Sequence, residues 1–462
     1  MPDLVYRGGA FHADTAVEVD AGAGRILRVG PVADLASPGA AVERLEARAL
    51  LPGFVNAHSH AFQRLLRGRT QWRPASVPHA DFWSWREAMY AAALALSPED
   101  VYHVSRFCFL EMLRAGYTAV GEFHYLHRDP DGRRYDDPLE LAQRVVAAAA
   151  EVGIRVALLN VCYAAGGIGK PLLPEQRRFA TPELDGFLDD SAVLLEAYAK
   201  ESLLTIGLAP HSVRAVPRDW LKELHAWAGR RELVLHMHVA EQAAEVEECR
   251  AAYSKPPVEL LAEEGVLDTR FTAVHATHIS LEEAARLGGA GAGVCACPTT
   301  ERDLGDGILP AEELVGAGAA LAIGSDSQAV IDPFEEMRLL EYHERLRRLR
   351  RVVLTEPRNG RLEVAPALMH AGTAGGARAL GIDAGRIEPG ALADLVAIDL
   401  AHPSLAGWSA DTLAAMLALS APAAVVTDVW VGGRRRIEQG RHAAEAEAAA
   451  AFRRVAAQLA LP

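Results

Sequence analysis

The sequence predicts an α/β fold, a (β/α)8 TIM-type barrel with a small β-sandwich domain built from both termini. Three observations lead there. Short, almost wholly apolar runs alternate with helix-length segments through the middle of the chain, the pattern of parallel strands covered on both faces. Eight such runs can be counted, and eight parallel strands separated by helices close naturally into a barrel. Both ends of the chain instead carry short strands and glycine turns without long helical periodicity.

Residues 1–50 supply the first part of the small β domain, with turns at Gly8-Gly9 and Gly22-Ala23-Gly24. The barrel is expected over 51–384. Its first strand is the apolar run from Gly53 that ends in His58, and seven more follow at 119–123, 155–160, 204–209, 233–238, 272–275, 293–297 and 320–326. Residues 385–440 return to short strands, at 390–399 and 425–433, and complete the small domain. Alanine-rich stretches at 91–96, 147–150 and 442–451 have high helix propensity, and 441–462 is expected to dock as a C-terminal helix. No fixed-period repeat is present.

Composition narrows the function classes. The chain has 462 residues, half of them apolar, with 47 Lys+Arg against 61 Asp+Glu and a net charge of −14. That balance argues against general affinity for nucleic acid or anionic membrane, so an anionic substrate must be caught by locally placed arginines. The basic run Arg345 to Arg351 reads as a solvated helix face. The start Met1-Pro2-Asp3-Leu4 lacks the form of a signal peptide, and no charge-free apolar run is long enough to span a bilayer. Five scattered cysteines fit reduced thiols in a cytoplasm, and Cys295 and Cys297 read as small buried strand residues rather than a metal pair.

In a barrel of this type the carboxyl ends of the strands build the site. His58, His60, Glu122, His124, Asn160, His211, His238, His275 and Asp326 all fall at such ends. His58 and His60 are two apart, so on a strand they face the same way. Three neutral imidazoles, from His58, His60 and His238, with the carboxylate of Asp326 suit one borderline divalent ion such as Zn²⁺, with a position left for water. Such an ion brings the pKa of water toward about 7. Glu241, three residues after His238, is placed to take a proton from that water and pass it to a leaving nitrogen. His275 is expected at the same water or at developing negative charge, and Asp326 to accept a hydrogen bond as well as to ligate.

These segments resemble the amidohydrolase superfamily. Pro52-Gly53-Phe54-Val55-Asn56-Ala57-His58-Ser59-His60, His238-Val239-Ala240-Glu241, Val274-His275-Ala276-Thr277-His278 and Gly324-Ser325-Asp326-Ser327 match, in order, its first, fifth, sixth and eighth strand signatures. Gly207-Leu208-Ala209-Pro210-His211 stands where two-metal members carry a bridging lysine, which implies the single-metal, deaminase-like branch.

The resemblance narrows to the N-formimino-L-glutamate deiminases of histidine degradation. It is carried by His60-Ala61-Phe62-Gln63-Arg64, the stretch Asp81 to Tyr90, the stretch Ala115 to Tyr125, Gln176-Arg177-Arg178-Phe179 and Asp303-Leu304-Gly305-Asp306-Gly307-Ile308. It implies hydrolytic deimination to N-formyl-L-glutamate and ammonia, zinc, and a homodimer. It also implies that Gln63, Arg86, Tyr125 and Arg214 hold the substrate carboxylates while His211 lies near the formimino end. Arginine forks suit a dianionic amino-acid derivative. Gln328 follows Gly324-Ser325-Asp326-Ser327 where that family often has histidine, a departure expected to fall on the pocket rim. Two other readings stay open: an aminohydrolase of a guanine-, adenine- or cytosine-type ring, and a barrel that binds a ligand without catalysis.

Overall fold

Eight parallel strands form the centre of the molecule in the computed structural model, which describes residues 1–35, 41–358 and 360–459. Positions 36–40 of the expected first β segment, 359 of the barrel and 460–462 of the expected C-terminal helix lie outside the described residues. In chain order the barrel strands are β1 (Phe54–Ser59), β2 (Tyr117–His124), β3 (Arg155–Cys162), β4 (Leu204–Pro210), β5 (Leu235–Val239), β6 (Phe271–His275), β7 (Gly293–Ala296) and β8 (Ala320–Ile323). Each pairs in parallel with the next. All the residues of β1, β2 and β3 are buried, as a sheet wrapped by helices requires.

The cylinder closes between the end of β1 and the turn after β8, where Ser59 bridges Asp326. The His60 amide donates to the Asp326 carbonyl at 3.0 Å, and the Asp326 amide donates to the His58 carbonyl at 3.0 Å. Gly324 permits this seam, because a Cβ there would lie 2.8 Å from the His58 Cβ and 2.9 Å from its carbonyl oxygen. The closure therefore brings the first and last site segments of the sequence into direct hydrogen-bond contact.

The two termini share one mixed six-stranded sheet. Its order is Arg434–Ile437, Val426–Val431, Leu395–Asp399, Leu45–Pro52, Pro2–Arg7, Ala10–His12. Alternation along its strands divides the burial. Leu4, Tyr6, Ala49 and Leu51 join the main core, whereas Val5, Leu50 and Leu395 pack with Ile26 of the hairpin Thr15–Asp20 and Arg25–Pro31. Leu45–Pro52 passes through Gly53 directly into β1.

A buried ion pair ties the two parts together. Arg155, at the start of β3, donates from Nε at 2.9 Å and Nη2 at 3.1 Å to Asp394, which also accepts from the Gly432 amide at 2.7 Å. The last helix, Glu445–Gln458, docks on Pro98–Ala115, with Phe452 stacked on Phe107 at 4.4 Å and Arg114 paired with Glu445 at 2.8 Å. Cys295 and Cys297 are fully buried beside Ala57, Val274 and Ala322, as expected. Among the described residues no helix is long and apolar enough to cross a membrane.

Candidate active site

His58, His60, His238 and Asp326 come from β1, the residue after it, β5 and the turn after β8, and their ligand-type atoms all lie within 4.8 Å of one another. His58 Nε2 is 3.2 Å from His60 Nε2 and 3.0 Å from His238 Nε2. Asp326 Oδ1 lies 3.3 Å from His60 Nε2 and 3.5 Å from His58 Nε2. Burial holds all three imidazoles below the usual histidine range, with His60 down to about 3, so they are neutral at pH 7. A neutral imidazole has one N–H. His60 uses Nδ1 to donate to the Phe123 carbonyl at 3.0 Å, which leaves Nε2 a bare lone pair facing the other rings. Converging lone pairs beside a carboxylate are the donor set of a small divalent ion, and they fit one. Burial pushes the Asp326 carboxyl up, but the His58 hydrogen bond and the pull of His275 lower its pKa and hold the group ionised.

Glu241 and His275 stand at the same point. His275 Nε2 lies 3.8 Å from Glu241 Oε1 and 3.6 Å from Asp326 Oδ2. Burial disfavours charge on His275, but Glu241, Glu301 and Asp326 overcome it and raise its pKa, so the ring is a ready proton donor. Burial raises the Glu241 pKa, against the pull of His275 and Arg214. A carboxyl with a raised pKa beside an N–H donor suits the movement of a proton. The backbone here departs from ordinary strand ends: Ala240, His275, Ala276, Asp326 and Gln328 all have positive φ, between 45° and 70°.

All five residues expected at the substrate line a cavity of about 520 Å³ together with His60, His238, Glu241 and Asp326. Gln63 donates to the Tyr125 hydroxyl at 2.8 Å, and its buried Oε1 has no partner among the described residues. The Tyr125 ring lies 4.9 Å from that of His60 and the His211 ring 4.8 Å from that of His238. Arg86 stacks on Trp83, with its guanidinium carbon 4.4 Å from the ring centroid. Arg214 is buried; its Nε meets Glu245 at 3.2 Å and its Nη2 meets Glu241 at 3.5 Å. Six aromatic rings complete the wall: Phe82, Trp85, Tyr90, Tyr125, Tyr163 and Phe179.

Two site residues escaped the sequence reading. Glu245, on the first turn of the helix Ala243–Tyr253, joins Arg214 to the Ala240 amide. Glu301 faces His275 Nδ1 at 3.4 Å and accepts from the Cys297 amide at 2.8 Å. Their only sequence signal was an acidic residue one turn beyond a motif, in Glu241-Gln242-Ala243-Ala244-Glu245 and Cys297-Pro298-Thr299-Thr300-Glu301. Glu122 is at a strand end as expected, where it braces the first site segment from behind. Its carboxyl accepts from the Ser59 hydroxyl at 2.7 Å and the Ala61 amide at 2.8 Å.

Two expectations change. Gln328 is not on the pocket rim; it is fully buried, donating to Ser59 Oγ at 2.9 Å and the Asp326 carbonyl at 2.8 Å while accepting from Ser325 Oγ at 2.8 Å. It is a strap across the barrel seam. His124 and Asn160 sit at strand ends as expected but line a different cavity, because successive residues of β2 alternate sides and Phe123 takes the inward one.

Residues 49–436 match the Amidohydrolase family. The chain is 40% identical over 412 residues to a formimidoylglutamate deiminase from Pseudomonas aeruginosa, an alignment covering 89% of each protein. Among solved structures, an amidohydrolase from Brucella melitensis superposes with a TM-score of 0.89 at 35% identity, covering 99% of this chain and 98% of that one. An adenosine deaminase from Xanthomonas campestris with bound zinc superposes with a TM-score of 0.83 at 26% identity, covering 99% and 97%.

Proposed function

This chain belongs to the amidohydrolase family and is a hydrolytic deaminase-type enzyme, and on that premise we propose that its substrate is N-formimino-L-glutamate, converted to N-formyl-L-glutamate and ammonia. The observation that carries the proposal is one cavity lined by His60, His238 and Asp326 of the donor set, with His58 in contact with both other imidazoles, and by two arginines, Arg86 and Arg214. Zinc is the ion we assign there, on the chemistry of three imidazoles and a carboxylate and on its presence in the Xanthomonas neighbour. When bound, the ion supplies Lewis acidity that makes water a nucleophile at neutral pH.

The chain's own groups do the rest. Glu241 takes a proton from the attacking water to the imino nitrogen as the C–O bond forms, then carries the remaining hydroxyl proton to the same nitrogen as the C–N bond breaks, so that ammonia leaves and the formyl group stays on the glutamyl nitrogen. His275 donates Nε2–H to the negative charge on the attacking oxygen, held in that orientation by Glu301 on its other nitrogen. Asp326 Oδ2, 3.6 Å from His275 Nε2, would accept a hydrogen bond from that water. Arg86 and Arg214 meet the two carboxylates of the glutamyl part, and the hydroxyl of Tyr125 with the amide of Gln63 supplies neutral hydrogen bonds between them. Burial keeps the His211 ring neutral, so it can approach the formimino end without repelling a cationic amidine.

Ammonia release from N-formimino-L-glutamate tests this reading. Wild-type protein should release it, and Glu241→Gln should lower kcat about 10²- to 10⁴-fold. No release by the wild type rejects the substrate, and undiminished release by the variant rejects the role of Glu241. A second reading, deamination of a purine-type ring, is favoured by the six aromatic rings of the wall and by the Xanthomonas adenosine deaminase. Arg86→Ala and Arg214→Ala separate the two: they should raise KM steeply for the acyclic dianion and little for a nucleoside.

A further inference from the structure

A second cavity, with about 850 Å³ of empty space, lies outside the barrel wall, between the ends of β2 and β3 and the helices Glu140–Val152 and Leu184–Ala197. It shares no lining residue with the catalytic cavity. His124 is 4% exposed and lines it, yet its Nε2 has no hydrogen-bond partner among the described residues. The ring is neutral, because burial takes its pKa far below the usual range, and its other nitrogen is engaged by the Leu126 backbone. Nε2 is therefore a bare acceptor in need of an N–H or O–H donor.

The neighbouring cation is also only partly used. Arg128 donates from Nε to the Ala180 carbonyl at 2.7 Å, and no bond from its two terminal nitrogens is found among the described residues. Arg134, by contrast, is held by Asp190. Leu139, Ala142 and Phe187 form an apolar wall. A cleft with an apolar wall, a guanidinium whose terminal nitrogens have no bond among the described residues and one orphaned acceptor has the make-up of a small-molecule site.

We propose that this cavity binds a small 2-amino or 2-hydroxy carboxylic acid with a short branched alkyl chain. The carboxylate meets the terminal nitrogens of Arg128, the 2-amino or 2-hydroxy group donates to His124 Nε2, and the alkyl chain packs on Leu139, Ala142 and Phe187. The wall between the two cavities is thin. The amides of His127 and Arg128 both donate to the Arg178 carbonyl at 3.1 Å, Phe179 faces the catalytic cavity, and Ala180 and Thr181 face this one. An occupant thus touches the segment that carries an aromatic wall of the active site.

Calorimetric titration of the full-length protein with L-leucine, 2-hydroxy-4-methylpentanoate and 4-methylpentanoate tests the proposal. The first two should saturate at one site, and the third, lacking the donor, should bind about tenfold more weakly. Arg128→Gln should weaken the first two by about 100-fold through loss of the charged partner. Ala142→Phe, which fills the cavity without touching a polar group, should abolish binding and covers the case in which the arginine variant does not fold. No saturable binding by the wild type overturns the proposal. So does equal affinity for 4-methylpentanoate, or wild-type affinity in a folded variant, which would place the ligand elsewhere.

Discussion

Replacing Gln328 with alanine should loosen the closure of the barrel and, through it, the seat of Asp326. The side chain makes two donor bonds, to Ser59 Oγ at 2.9 Å and the Asp326 carbonyl at 2.8 Å, and accepts one, from Ser325 Oγ at 2.8 Å. All lie in a fully buried setting. Each buried bond is worth about 1 kcal/mol net, which puts the loss near 3 kcal/mol. Redundancy moderates that figure: Ser59 still donates to Glu122, the Asp326 carbonyl still accepts from the His60 amide, and Ser325 Oγ still meets Asn56. A loss of about 2–3 kcal/mol is therefore expected in urea unfolding of metal-stripped protein. The same variant should bind zinc about 10- to 100-fold more weakly in a chelator competition, the usual effect of removing a residue that orients a ligand. Backbone strain cannot produce this result, because alanine and glutamine at φ 63° bear a similar steric load. Stability lowered by less than about 0.5 kcal/mol with unchanged zinc affinity would refute the strap.

Three further outcomes are expected. Arg155→Met leaves the Asp394 carboxylate buried without its cation and should cost about 3–5 kcal/mol in urea unfolding, and adding Asp394→Asn should recover part of it. Burial raises the Glu122 pKa to about 8; a carboxyl raised in the folded state stabilises fully only below its unfolded pKa, and that stability is lost as pH rises through about 8. Relative to Glu122→Gln, the wild type should therefore lose unfolding free energy progressively between about pH 5 and 8, by up to about 1.4 kcal/mol per pH unit, and a pH-independent difference would contradict the shift. Finally, stripping the ion with a chelator should abolish activity and lower Tm. Zinc at about 100 times its Kd should restore both, adding about 2.7 kcal/mol, and His238→Ala should lose the response.

The order and type of the barrel elements were legible along the chain because they follow from local pattern. Eight apolar runs between helix-length segments can be satisfied only by strands buried on both faces, and polar residues ending those runs must gather at one rim. His58, His60, His238, His275 and Asp326 were singled out in that way, and Glu241 by its place three residues after His238. Arg86 and Arg214 came through resemblance, and folding put both into the same cavity. Glu245, Glu301 and the inward role of Gln328 left no periodic trace, since each acts through one contact with a residue distant in sequence or turned by a positive φ. Gln328 reaches Ser59 across 269 positions, and nothing near either residue announces the bond. The outward cavity at His124 and Arg128 was hidden for a related reason. Alternation in β2 assigns His124 and Phe123 to opposite faces, but which face meets the metal-type cluster and which meets helices depends on how the sheet curls and closes. Periodicity dictates which side chains travel together; closure of the cylinder decides what they meet, because those contacts are made between segments that only the folded backbone brings within hydrogen-bond range.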